Sequence, residues 1–115
     1  MIMVVEDSRQ MRKEIRNFLN RIRPENEILE CSNGKEAVEA YALHRPSLVL
    51  MDIRMDTMDG LMATKIIMQS YPAAKIVIVT NFDDTDLREA AYRAGAIGYV
   101  LKDNLKEIQS FIGMK

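Results

Sequence analysis

The chain has 115 residues, 48% apolar and 29% charged, with 16 Lys and Arg against 17 Asp and Glu and a formal net charge of −1. That length suits one domain, and the absence of a basic excess argues against a nucleic-acid-binding surface. Cys31 is the only cysteine, which excludes an internal disulfide or a thiolate zinc site and fits a reducing, cytoplasmic setting.

The opening residues lack the charged and long apolar regions of a secretory signal, and no window nears the ~20 apolar residues of a membrane span. Instead, IMVV (2–5) reads as a short buried strand. A helix follows, with Met11, Ile15, Phe18, Leu19 and Ile22 spaced along one stripe. Beyond Pro24, EILEC (27–31) is a weaker, more polar strand suited to a sheet edge. Asn33, with Glu36 three residues on, is a variant of the capping box and opens a second helix marked by Ala37, Val38 and Tyr41. His44 ends that helix as a surface residue.

Beyond Pro46 comes the third strand, LVLM (48–51), and Asp59 with Gly60 turns the chain into a third helix marked by Met62, Ile66 and Ile67. Pro72 precedes the fourth strand, KIVIV (75–79). Asp83 and Asp84 cap a fourth helix carrying Leu87, Ala90, Ala91 and Ala94, with Gly95 as its C-cap and Asp86 as surface charge. GYVL (98–101) is the fifth strand. Asn104 with Glu107 repeats the capping pattern before a fifth helix marked by Leu105, Ile108 and Ile112. The nine methionines are spread through these elements as core filling.

Four of the five strands are almost continuously apolar, as expected where helices cover both faces of a parallel sheet. Strict alternation of strand and helix with right-handed crossovers predicts an α/β, doubly wound five-stranded parallel sheet of flavodoxin-like order 2-1-3-4-5, forming a single domain over 1–115.

In that fold ligands bind beyond the carboxyl ends of the strands. There the sequence places Glu6 and Asp7 after strand one, Asp52 after strand three, Thr80 after strand four and Lys102 after strand five. An Asp after a strand is often only a turn residue or helix cap, but five such placements on one face point to a site. Two unit charges about 4 Å apart repel by about 4 kcal/mol at an effective dielectric near 20. A hard divalent cation removes the conflict, and an oxygen-only, partly hydrated site favours Mg²⁺. With Lys102 as a point charge and Thr80 as a hydroxyl donor, the group suits a transferring phosphoryl group, for which a carboxylate is an able acceptor.

The segments VVEDS (4–8), LVLMDIRMDTMDG (48–60), IVIVTNFDD (76–84) and AGAIGYVLKD (94–103) resemble the receiver domain of two-component response regulators over essentially the whole chain. The resemblance implies that Asp52 is the phosphoacceptor, loaded by a sensor histidine kinase or phosphotransfer protein. It implies that Glu6, Asp7, Asp52 and the backbone carbonyl of Arg54 hold Mg²⁺, with Asp7 the direct ligand of the acidic pair. Thr80 and Lys102 would contact the phosphoryl oxygens, and Tyr99 would turn inward as Thr80 moves. Arg54 and Phe82 occupy positions that tune hydrolysis in this family. So does Asn81, which stands where a small residue is usual.

Asp56 replaces the usual Pro, implying a more mobile and more acidic loop, and Asp103 follows Lys102 in place of the more frequent Pro. The resemblance further implies an output partner or output domain engaged through the fourth helix, fifth strand and fifth helix. It allows a phosphorylation-dependent homodimer, with no membrane or direct nucleic-acid contact by this domain. "LKD" is similar to regulators with a C-terminal helix-turn-helix output domain, so transcription is a candidate output. Two other classes compete. An aspartate-dependent phosphatase would carry a second Asp two residues after the nucleophile, where Arg54 stands, so the chain is not expected to be an enzyme beyond assisting its own phosphoryl transfer and autodephosphorylation. A receiver-like interaction module that is never phosphorylated would not need the full set of five polar residues.

Overall fold

The computed structural model describes residues 1–113; the last two residues of the expected domain lie outside the described residues. Strands β1 (Ile2–Val5), β2 (Ile28–Cys31), β3 (Leu48–Met51), β4 (Ile76–Thr80) and β5 (Gly98–Leu101) form one parallel sheet in the order β2-β1-β3-β4-β5. Helices α1 (Arg9–Ile22), α2 (Gly34–His44), α3 (Gly60–Ser70) and α4 (Thr85–Ala94) connect them, and a 3-10 helix, Lys102–Phe111, follows β5 directly. The expected topology is the one observed.

Successive side chains of a strand point to opposite faces, and here both faces are covered. Met3, Val5, Val49, Met51, Ile76 and Ile78 pack with Ala37, Tyr41, Ala63, Ile67 and Ala91 of α2, α3 and α4. Ile2, Val4, Leu48, Leu50, Val77 and Val79 pack on the other side with Ile15, Phe18 and Leu19 of α1 and with Ile108. This double burial is why β1, β3 and β4 carry unbroken apolar runs. β2, at the edge, exposes Glu30 and only half-buries Ile28 and Leu29.

The helix starts follow a shared chemistry. Ser8, Asn33, Asp59 and Asp84 each hold extended backbone, and each side chain accepts a hydrogen bond from the N–H three residues on. The carboxylate of Glu36 reaches back to the N–H of Ser32, one residue before the cap, rather than to Asn33 itself. Asp84 is the cap of α4, while Asp83 lies 3.7 Å from Arg88. Gly95 closes α4 with φ 112° as expected.

Three expectations need correction. β4 begins at Ile76 and includes Thr80, one residue later than the apolar run suggested. Met62 is 50% exposed, because α3 buries Gly60, Ala63, Thr64 and Ile67, a complete i, i+3, i+4, i+7 stripe that leaves position 62 on the far side. Asn104 makes no capping hydrogen bond: the chain enters the 3-10 turn straight from β5, and Asn104, at φ −136°, ψ 53°, is the kink that divides it from the helical stretch that follows.

Candidate functional site

The carboxyl edge of the sheet gathers the polar residues that the chain order separates. Glu6 follows β1 and is 1% exposed, and Asp52 follows β3 and is 6% exposed. Asp7 is exposed, and one carboxylate oxygen from each of the three lies within 4.8 Å of the others. The sheet itself holds Asp52 in place: its N–H donates to Val5 O at 2.9 Å, and its Oδ1 accepts from the N–H of Ile53 at 2.8 Å. Gly60 lets α3 approach closely. A Cβ there would stand 1.8 Å from the carbonyl oxygen of Asp52, and the N–H of Gly60 donates to Ile53 O at 2.8 Å.

Lys102 reaches into this group. Its Nζ lies 3.3 Å from Asp52 Oδ2 and 2.5 Å from Glu6 Oε1, so it stands among the carboxylates rather than across from them. Burial works to lower the pKa of Lys102, but its hydrogen bond to Glu6 and the charges of Asp52 and Glu6 outweigh that and hold it above the ordinary lysine value. The carboxyl of Asp7 is pushed above the usual carboxylate range, first by a hydrogen bond shared with Glu6, then by desolvation and by the charge of Glu6.

The donor set fits a hard cation. Glu6 Oε2 accepts from the N–H of Ser8 at 2.9 Å, whereas the buried Oε1 is held by Lys102 Nζ at 2.5 Å. Three carboxylates offering oxygens within 4.8 Å of one another are the donor set that divalent magnesium favours.

Thr80, at the end of β4, is fully buried, and its Oγ1 accepts from the N–H of Phe82 at 3.2 Å. Tyr99 is inward and 6% exposed, with its hydroxyl donating to Phe82 O at 2.7 Å. Burial raises the pKa of that phenol. The guanidinium of Arg88 lies 4.5 Å from the Tyr99 ring centroid. Asn81 is exposed and lines a cleft of about 220 Å³ with Asp83, Leu101, Lys102 and Asp103. Asp56 is exposed and is not one of the gathered carboxylates; its carbonyl accepts from the N–H of Met58 across Thr57, whose φ is 72°. That turn is strained for a β-branched residue. It is tied to α2 by Gly34 N–H donating to Met58 O at 3.0 Å.

Sequence reasoning brought the acidic trio, Thr80, Lys102 and Tyr99 to one edge. It did not find the convergence of contacts on the backbone of Phe82, the ring contact of Arg88, or the reach of Arg12 to the backbone of Glu6 and Asp7. No spacing signal announces contacts of that kind, since each joins different elements through loops.

A doubly wound sheet with a carboxylate cluster at its strand switch point, reached by a lysine from the end of β5, defines a class of phosphoryl-handling α/β domain. Comparison with known proteins narrows the class. A family model described as the response regulator receiver domain matches residues 2–112. The chain is 37% identical over 103 residues to the transcriptional regulatory protein LnrK of Bacillus subtilis, covering 89% of this chain and 46% of that one. It is 39% identical over 102 residues to the chemotaxis protein CheY of Halobacterium salinarum, covering 88% and 82%. A DNA-binding response regulator of the LuxR family from Staphylococcus aureus superposes with a TM-score of 0.82 at 25% identity, covering 96% of this chain and 93% of that one. The chain belongs to the response regulator receiver domains, the phosphorylation-dependent signalling switches of two-component systems. It spans about half the length of the transcriptional regulators it matches. Among the described residues, no helix is long and apolar enough to cross a membrane.

Proposed function

We propose that Asp52 is the phosphoacceptor of this receiver domain, loaded from the phosphohistidine of a sensor kinase or phosphotransfer protein. The observation that carries the reading is the grouping of Asp52 with Glu6, Asp7 and Lys102, whose Nζ lies 3.3 Å from Asp52 Oδ2. Glu6, Asp7 and Asp52, with the backbone carbonyl of Arg54, would hold Mg²⁺, which when bound supplies positive charge opposite the oxygens of the transferring group.

The remaining work falls to the chain's own residues. A carboxylate oxygen of Asp52 attacks phosphorus, the bond from phosphorus to the donor nitrogen breaks, and an acyl phosphate results. Lys102 leaves Glu6 to meet the new phosphoryl oxygens, and the Thr80 hydroxyl turns toward them. Tyr99, held by the carbonyl of Phe82, fixes the inward arrangement that follows. Phosphorylation then acts by favouring one of two existing states and reshaping the face of α4, β5 and the 3-10 helix. An output domain or partner protein reads that face, with transcriptional control as the downstream effect and the cytoplasm as its setting.

Incubation of the purified chain with acetyl phosphate and Mg²⁺ should add one phosphoryl group by mass spectrometry. Asp52→Asn should abolish the product. A wild-type spectrum without the adduct would sink the reading.

A further inference from the structure

Building on the cation site just proposed, we propose that Arg12 is a positioning residue for it: its guanidinium fixes the backbone of Glu6 and Asp7 and thereby sets the affinity of the acidic pair for Mg²⁺. A carboxylate is only as well placed as the backbone that carries it, and Glu6 and Asp7 sit in the short turn between β1 and α1. Two kinds of tie hold that turn. Ser8 caps α1 by accepting from the N–H of Met11 at 3.2 Å, and its own N–H donates to Glu6 Oε2 at 2.9 Å. The N–H of Glu6 also donates to Cys31 O at 3.0 Å, and Arg12 holds the carbonyl side. From one turn into α1 its Nη1 donates to Glu6 O at 2.7 Å and reaches Asp7 O at 3.4 Å, so one nitrogen spans both carbonyls of the acidic pair.

The other side of the guanidinium is anchored. Nε of Arg12 lies 3.4 Å from Glu30 Oε1 on β2, while Glu30 Oε2 takes Arg16 at 2.5 Å. Glu30 therefore balances the charge that Arg12 brings near a cation site, and Arg12 acts through its hydrogen bonds to carbonyls rather than as a free positive charge. Burial separates the two arginines: the side chain of Arg12 is 17% exposed and that of Arg16 is 46%. Only a planar fork can address carbonyls from Nη1 and a carboxylate from Nε at once, so lysine cannot replace it. Arg16 shares Glu30 but touches neither carbonyl, which makes it the natural control.

The test is titration calorimetry of the full chain with MgCl₂, beside acetyl-phosphate labelling across a Mg²⁺ series, for wild type, Arg12→Ala, Arg12→Lys and Arg16→Ala. Loss of a partner that orients metal ligands typically weakens metal binding by roughly tenfold or more. Arg12→Ala and Arg12→Lys are expected to show that loss, with the half-saturating Mg²⁺ for labelling raised in step. The labelling rate at saturating Mg²⁺ stays within about twofold of wild type, because the reacting groups are untouched. Arg16→Ala should bind as wild type does. Should Arg12→Ala fail to fold, Arg12→Lys, which keeps the charge and stem, decides. Unchanged affinity in Arg12→Lys, or an equal loss in Arg16→Ala, overturns the role of Arg12 alone. A wild type that neither binds Mg²⁺ nor takes up phosphoryl overturns the cation site and this inference together.

Discussion

The guanidinium of Arg54, two residues past Asp52, lies 4.4 Å from the centroid of the Phe82 ring, two residues past Thr80. The pair bridges the loops after β3 and β4, which flank the Asp52 carboxylate. Phe82 is also pinned through its backbone, its N–H donating to Thr80 Oγ1 and its carbonyl accepting from Tyr99. A cation over an aromatic face at a partly exposed site contributes about 0.5–1 kcal/mol. A double-mutant cycle with Arg54→Ala and Phe82→Ala, followed by urea denaturation, should return a coupling of about that size. Opening this bridge should also quicken hydrolysis of the aspartyl phosphate, by about fivefold if about 1 kcal/mol of shielding is lost. Identical decay rates in wild type and both single variants would rule out the shielding.

Lys102 answers for two buried carboxylates at once. Removing a partner from a buried charge cluster typically costs about 3–5 kcal/mol, and Glu6 is 1% exposed while Asp52 is 6% exposed. Lys102→Met should therefore lower stability sharply in metal-free buffer and regain much of it when Mg²⁺ is added. The same variant should bind Mg²⁺ more tightly than wild type, since no ammonium competes for Glu6 Oε1, now 2.5 Å from Nζ. Thermal melts with and without Mg²⁺ give both readings, and a variant as stable as wild type without metal contradicts the account.

The fold and most of the site were legible for different reasons. Unbroken runs such as LVLM announced strands buried on both faces, and the chemistry of Glu6, Asp7, Asp52, Thr80 and Lys102 stood out because each falls at a strand's carboxyl end. Met62 misled because a long apolar side chain looks like core wherever it falls, whereas the face of α3 is set by the small residues Gly60 and Ala63. The kink at Asn104 and the contact of Arg54 with Phe82 depend on how elements meet in space. No local propensity encodes such meetings.

Gly60 brings α3 close against Asp52. With a Cβ at this position only 1.8 Å from the carbonyl oxygen of Asp52, the obstruction is backbone and cannot rotate away. Forced overpacking of this kind costs about 1–3 kcal/mol, and Gly60→Ala should fall at the upper end. Because the helix must retreat from Asp52 itself, labelling by acetyl phosphate should slow even where the variant remains fully folded by circular dichroism. Normal labelling in a destabilised variant would show that the acceptor tolerates the shift.

Cys31, at the end of β2, gives a pH dependence whose sign can be worked out. It is 5% exposed, and burial first, then the charge of Glu36, push its thiol from 9.0 up to about 11, against a smaller opposing pull from Arg12. A group whose pKa is raised on folding stabilises the protein fully below its unfolded value, and that contribution is lost as pH climbs through the folded value. Here the window runs from pH 9 to about 11, and a shift of that size is on the order of 2–3 kcal/mol. The raised phenols of Tyr41 and Tyr99 and the raised ammonium of Lys102 slope the same way, from pH 10.0 upward for the phenols and 10.5 for the ammonium. Cys31→Ala should therefore be less stable than wild type at neutral pH, through lost packing, yet lose less stability between pH 9 and 11. Parallel urea midpoints for the two proteins across that interval would refute the assignment. Iodoacetamide, which needs the thiolate, should label the native thiol at pH 8 far more slowly than the urea-unfolded chain.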